Sequence, residues 1–152
     1  MGTAIRLKRR TLKPIKVPYS VYPDQFGAYA YSVKLNVQLA LTSPNSPRTK
    51  RFEGIIDSGA MRCLFDWSIA EFLGIQRDAC KVEVTTGIGG SEDSYLHDVM
   101  LYIPGGPVTI TAGFKEKLPV AGLLGINGFF EHFQILFDAP AKVCELTRIY
   151  QA

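Results

Sequence analysis

From Tyr29 to Leu41 the chain alternates without interruption. Tyr29, Tyr31, Val33, Leu35, Val37, Leu39 and Leu41 are aromatic or aliphatic, and Ala30, Ser32, Lys34, Asn36, Gln38 and Ala40 stand between them. Successive side chains point to opposite faces of a strand, so this period of two predicts one long strand with one face in a core. Ser43-Pro44-Asn45-Ser46-Pro47 then reads as a turn and Phe52 to Asp57 as a second strand, so the two are expected to form a hairpin. With 14 glycines and 9 prolines in 152 residues, such punctuation continues along the chain and disfavours a helical bundle. The length suits one domain with its own hydrophobic core and is short for two.

The remaining segments extend the same pattern. Asp66 is placed to cap a short helix through Trp67, Ala70 and Leu73, which Gly74 ends in the left-handed region. Lys81 to Thr86 reads as a strand, followed by the tip Gly87-Ile88-Gly89-Gly90 and a returning strand from about Tyr95 to Ile103. Pro104-Gly105-Gly106-Pro107 turns the chain into a strand over Val108 to Phe114, and Val120 to Leu124 is a buried apolar strand. Asn127 is expected to cap a second short helix, Gly128 to Phe133, and a final hairpin pairs Gln134–Asp138 with Val143–Ile149. Trp67, Phe72, Phe129, Phe130 and Phe133 fall at helical spacings and are expected in the core. The chain therefore reads as mainly β with two short helices and no solenoid repeat.

The formal net charge of +3 is unevenly placed. Arg6, Lys8, Arg9, Arg10, Lys13 and Lys16 precede every acid; removing these six from 17 basic residues leaves 11 against 14 acidic ones, about −3 for residues 17–152. Residues 1–18 are accordingly expected as a basic, flexible arm, with 19–152 as the folded domain. An arm of this kind can touch nucleic acid or an anionic surface, but no reading helix or interleaved aromatics accompany it, so a solvated tail is favoured. Apolar runs are broken well short of a bilayer span, and the first residues hold no apolar leader core. Met1-Gly2 starts like a myristoylation site, but Arg6 stands where Ser or Thr is wanted. Cys63, Cys80 and Cys144 form no Cys-x-x-Cys pair, and His97 and His132 lie at no ligand spacing from them. The expectation is free thiols in a reducing, cytoplasmic setting, with no metal and no cofactor. His97 reads as a strand residue and His132 as a surface helix residue, neither with an assigned role.

Ile55-Ile56-Asp57-Ser58-Gly59-Ala60 sets a carboxylate where an apolar strand ends in a tight turn. An isolated Asp-Ser-Gly is explained by local turn chemistry alone. Here it follows a hairpin, precedes an apolar segment, and is answered by Leu123-Leu124-Gly125 ahead of a short helix. With those three features the chain resembles the retropepsin-like aspartic proteases. Ile55 to Ala60 is similar to the family's catalytic motif, and Ala121-Gly122-Leu123-Leu124-Gly125 to its second motif. Val84-Thr85-Thr86-Gly87-Ile88-Gly89-Gly90 is similar to the glycine-rich tip of its flap. The resemblance covers about residues 30–149 and implies a single-domain acid-protease barrel with two short helices, working as a homodimer.

It implies an aspartic endopeptidase acting on extended polypeptides. Two carboxylates sharing one proton are required, one as base toward a water and one as acid toward the peptide carbonyl. This chain has one Asp-Ser-Gly triplet; Asp98-Val99-Met100 and Asp138-Ala139-Pro140 lack the hydroxyl and glycine. The second carboxylate would be Asp57 of another copy, supplied by twofold symmetry. By the same resemblance, Ser58 would hydrogen-bond across the axis, and Gly59 would let backbone approach the substrate. Ala60 would line a subsite, and Gly87, Ile88, Gly89 and Gly90 would close over the peptide. Ala60 brings no hydroxyl to the aspartates, which implies only a mildly acidic pH optimum. Retroviral members pair a carboxylate after this motif with an arginine after the second; here Met61 and Ile126 stand there, and an apolar contact would replace the ion pair at little cost. Two other readings are a peptide-binding or dimerisation module of the same fold with weak or no cleavage, and a domesticated mobile-element domain whose arm binds nucleic acid.

Overall fold

The computed structural model describes residues 10–11, 13–87 and 89–150. Among them, β1 (Arg10–Thr11), β2 (Ile15–Pro18), β3 (Ser20–Pro23) and β4 (Tyr29–Ser32) precede β5 (Lys34–Ala40) and β6 (Phe52–Ile56). Next come β7 (Leu64–Asp66), the single α-helix α1 (Trp67–Leu73), β8 (Lys81–Gly87), β9 (Gly90–Ile103) and β10 (Gly106–Lys115). The last strands are β11 (Gly122–Leu124), β12 (Phe133–Asp138) and β13 (Val143–Tyr150). The architecture is mainly β. No helix among the described residues is long and apolar enough to cross a membrane.

The principal sheet has seven strands in the order β10-β7-β11-β6-β5-β9-β8, and β10 also pairs with β9, so the sheet folds back on itself. β5 and β6 form the expected antiparallel hairpin, with Leu35 opposite Gly54 and Val37 opposite Phe52. β11 runs parallel to β6, Leu124 opposite Ile56, and antiparallel to β7. A second sheet joins β12 to β13 and β13 to β1 and β2, while β3 and β4 pair by themselves. Two strands thus fall within residues 1–18, the span expected as an arm: Ile15–Pro18 pairs with Val143–Leu146. Residues 1–9 and 12 of that span lie outside the described residues, as do Ile88 and 151–152.

The core gathers the inward positions of these strands. Phe65, Phe114, Phe129, Leu39, Leu101, Leu124 and Leu146 are fully buried, each contributing about 1.5–3 kcal/mol through loss of apolar surface to water. Phe65 meets Phe52 edge-on at 5.8 Å and Phe114 at 6.0 Å, and Trp67 meets Phe114 edge-on at 6.5 Å, the geometry that ring quadrupoles favour. On β13, Cys144, Leu146 and Arg148 alternate inward. Buried Arg148 donates from Nη1 to the carbonyls of Pro104 and Gly106, at 3.1 and 3.2 Å, and its guanidinium lies over Phe133 and Tyr150.

Four expectations change. The alternating stretch is not one strand: it breaks at buried Val33, whose carbonyl accepts from Ile56 N–H at 2.9 Å. On one side Tyr29–Ser32 pairs with β3, on the other Lys34–Val37 pairs with β6, so the change of partner breaks the strand and leaves Tyr29 and Tyr31 exposed. Asn127 caps no helix. Its N–H donates to Met61 O and its carbonyl accepts from Cys63 N–H, which hold it extended. Beyond it lies a single 3-10 turn, Phe130–His132, with no side-chain cap on Phe129; instead Glu131 Oε1 accepts from Gly128 N–H at 2.8 Å. The two expected helices are therefore α1 and that turn, with another 3-10 turn at Arg77–Ala79. Finally, Phe72 is 65% exposed, because α1 buries Trp67, Ala70 and Leu73 and Phe72 lies off that stripe. The caps of α1 are as expected: Asp66 accepts from Ser68 N–H, and Gly74 has φ 78°.

Candidate active site

Asp57 follows the last residue of β6, and its position is set by the strand beside it. Its N–H donates to Leu124 O at 3.0 Å, the carbonyl ending β11. The chain then turns back: Ala60 N–H donates to Asp57 O at 3.3 Å, and Asp57 Oδ1 accepts from Gly59 N–H at 2.8 Å. A carboxylate that takes a backbone N–H two residues on closes its own small turn, which is what Asp contributes here locally. A Cβ on Gly59 would lie 3.1 Å from that same oxygen, so a side chain there would crowd the carboxylate. Ser58 and Gly59 are exposed, Ala60 is buried and Asp57 half-buried.

The second motif crosses directly behind this turn. Ile126 N–H donates to Ala60 O and Asn127 N–H to Met61 O, both at 2.9 Å. Arg62 and Asn127 face one another in a parallel bridge. Between these contacts Gly125 has no room for a side chain: a Cβ would meet Ala60 O at 2.6 Å and collide with the Arg62 carbonyl. Two segments far apart in sequence are thus held backbone to backbone, and glycine is what permits it. Met61 is 75% exposed and Ile126 38%, so both present apolar surface at the Asp57 turn.

A cleft of about 310 Å³ opens on Asp57 and is lined by Tyr19, Tyr31, Ser32, Val33, Ile55, Ile56 and Phe137. Asp57 is the one carboxylate among those lining residues. Its walls come from Tyr19 just ahead of β3, from β4 and Val33 after it, from β6 and from β12. Tyr31 was expected in the core and Phe137 only in a hairpin, and no local pattern could have assigned them to one cavity. A larger groove of about 680 Å³ lies over Phe52, Ile69, Phe72 and residues 118–121 and shares no residue with the first. Volume alone does not recommend it, since it lacks the Asp57 turn.

Gly87, Gly89 and Gly90 sit at the end of the long β8–β9 hairpin, Gly87 opposite Gly90, and none of them lines the Asp57 cleft. Ile88 of that tip lies outside the described residues. The hairpin is gripped on each strand. Arg62 forms a bidentate pair with Glu83 of β8, and Lys115 pairs with Glu92 of β9 at 2.9 Å. Hydrogen-bonded to Lys115, the Glu92 carboxyl is held below its usual range. Burial pushes the Cys63 thiol up to about 11, so it stays protonated near neutrality. Among the described residues no three His, Cys, Asp or Glu side chains cluster at metal-binding distance.

The chain has the retropepsin-like fold. It is similar to the crystal structure of a retropepsin-like aspartic protease from Rickettsia conorii, with a TM-score of 0.63 over 97% of this chain and 98% of that one, at 14% identity. It is also similar to the retroviral protease-like domain of Ddi1 from Leishmania major, with a TM-score of 0.47 over 77% of this chain and 94% of that one, at 15% identity. Neither a protein-family model nor a curated protein sequence matches the chain.

Proposed function

We propose that this protein is an aspartic endopeptidase whose active site is completed by two copies of the chain. One observation carries the reading: the sole carboxylate of the cleft, Asp57, sits in an Asp-Ser-Gly turn fixed by Leu124 O within a retropepsin-like fold. A single carboxylate cannot act as acid and base in one step, and the cleft offers no other. Twofold symmetry about the turn brings Asp57 of a second copy close enough to share one proton. The ionised member takes a proton from water as that water's oxygen attacks the peptide carbonyl, and the protonated member donates to the carbonyl oxygen. Collapse of the tetrahedral species breaks the C–N bond, and the amine leaves with a proton from the dyad.

Ser58 and Gly59 are exposed beside the carboxylate, where Ser58 bonds across the axis and Gly59 leaves the substrate backbone room. Ala60 lines an adjacent subsite, and Gly87, Ile88, Gly89 and Gly90 form the tip that closes over an extended peptide, which adds as a strand.

The test is cleavage of a diverse peptide mixture by wild type and Asp57→Asn, scanned between about pH 4 and 7. Wild type is expected to cleave, and Asp57→Asn to lose at least about a thousandfold in kcat/KM while melting at the same temperature. Equal cleavage by both would refute the assignment. Binding of peptide without cleavage by either would instead favour a peptide-binding module of this fold.

A further inference from the structure

Arg62 joins three parts of the molecule: the segment that follows Asp57, β8 and β10. Its own backbone faces Asn127, and its carbonyl excludes any side chain at Gly125. Its side chain leaves in another direction. Nε donates to Glu83 Oε1 at 3.0 Å, Nη2 donates to Glu83 Oε2 at 2.8 Å, and Nη1 donates to Thr111 O of β10 at 3.3 Å. Two parallel N–H···O bonds fix direction as well as distance, which a lysine ammonium would not do.

Glu83 belongs to β8, the edge strand of the principal sheet, whose one ladder partner is β9. Among the described residues the other side-chain hydrogen bonds from β8, Thr85 to Ser94 and Thr86 to Ser91, also go to β9. The Arg62 fork is therefore what ties the first strand of the hairpin to the loop that begins at Asp57. The Lys115–Glu92 pair differs in kind. It joins β10 to β9, two strands already paired from Gly106–Ile103 to Phe114–Tyr95, and Glu92 lies three residues beyond the end of that ladder on the strand the ladder already holds, whereas β8 has no ladder except to β9.

We propose that Arg62 and Glu83 are positioning residues of the peptidase, setting the β8–β9 hairpin relative to the Asp57 turn before peptide arrives. This rests on the endopeptidase reading above. Neither side chain is assigned contact with reacting atoms. A hairpin held in place spares the bound complex part of the ordering cost, so loss of the pair weakens substrate binding more than it slows chemistry. The effect is moderate, because the Arg62 side chain is 22% and the Glu83 side chain 40% exposed and solvent screens them in part.

Four full-length variants test this: Glu83→Gln, Arg62→Met, the exchanged pair Arg62→Glu with Glu83→Arg, and Glu92→Gln. Amide hydrogen exchange of residues 82–86 is expected to quicken about three- to tenfold in Glu83→Gln and Arg62→Met. The exchanged pair should recover about half of that loss or more, and Glu92→Gln should stay within about twofold of wild type. With a cleavable peptide, the two single variants should raise KM about three- to tenfold with kcat within about twofold. Unchanged exchange in both single variants, no recovery in the exchanged pair, or an equal effect from Glu92→Gln would overturn the proposal. If wild type and Asp57→Asn alike cleave nothing, the endopeptidase reading falls, while hydrogen exchange still decides whether the fork anchors the hairpin.

Discussion

At Asp57 the backbone and the side chain are fixed by different neighbours: Leu124 O holds the one, and Gly59 N–H the other. The motif was legible in the sequence because Asp, Ser and Gly act within three residues. The Arg62–Glu83 fork was not, since nothing near either residue signals a partner on another strand. Cys63 shows how burial at one residue sets a pH response. Its thiol is raised from its ordinary 9.0 to about 11 by desolvation, so the folded chain keeps a proton that the unfolded chain releases. The stabilisation is present in full below pH 9 and is lost as pH rises toward 11, on the order of 3 kcal/mol. Denaturant unfolding of wild type and Cys63→Ala at pH 8 and 11 checks this. The variant should be less stable at pH 8 for want of packing, but should lose less on going to pH 11. Equal losses would show that Cys63 is not the responsible group.

Single elements obeyed their local signals where those signals concerned ends. Asp66 and Gly74 bound α1 as expected, and the β5–β6 and β12–β13 hairpins formed across their turns. Faces were less secure. In a seven-residue helix, spacing cannot separate the stripe Trp67, Ala70 and Leu73 from a neighbouring residue such as Phe72, and only packing against Phe114 and Tyr95 selects the first. The consequence is measurable by thermal melting. Phe72→Ser should change stability by no more than about 0.5 kcal/mol, whereas Phe129→Ala, at a fully buried site, should cost about 3–5 kcal/mol. A large loss from Phe72→Ser would mean that its face is covered in solution.

For the whole molecule, the proposed chemistry makes activity depend on association. Met61 and Ile126 are exposed beside the Asp57 turn, and Leu136 and Phe137 are exposed on β12, with Phe137 in the cleft wall. Specific peptidase activity should fall on dilution as half-sites separate, and sedimentation should give a dimer at high concentration. In the proposed dimer, Met61→Asp would set like charges near the twofold axis and should weaken association at least about tenfold, or roughly 1.4 kcal/mol. A monomer at every accessible concentration would contradict a paired site. What the sequence determined by itself was whatever acts over a few residues: the Asp-Ser-Gly turn, the hairpins, the caps of α1 and the mainly β character. Tertiary structure decided the rest, namely the break at Val33, the exposure of Phe72, the extended course of Asn127 and the hold of Arg62 on Glu83. The reason is physical. Turn chemistry and periodicity act within one segment, whereas a strand's partner and a side chain's burial depend on segments that only folding brings together, as Gly125 is brought against Ala60 and Arg62.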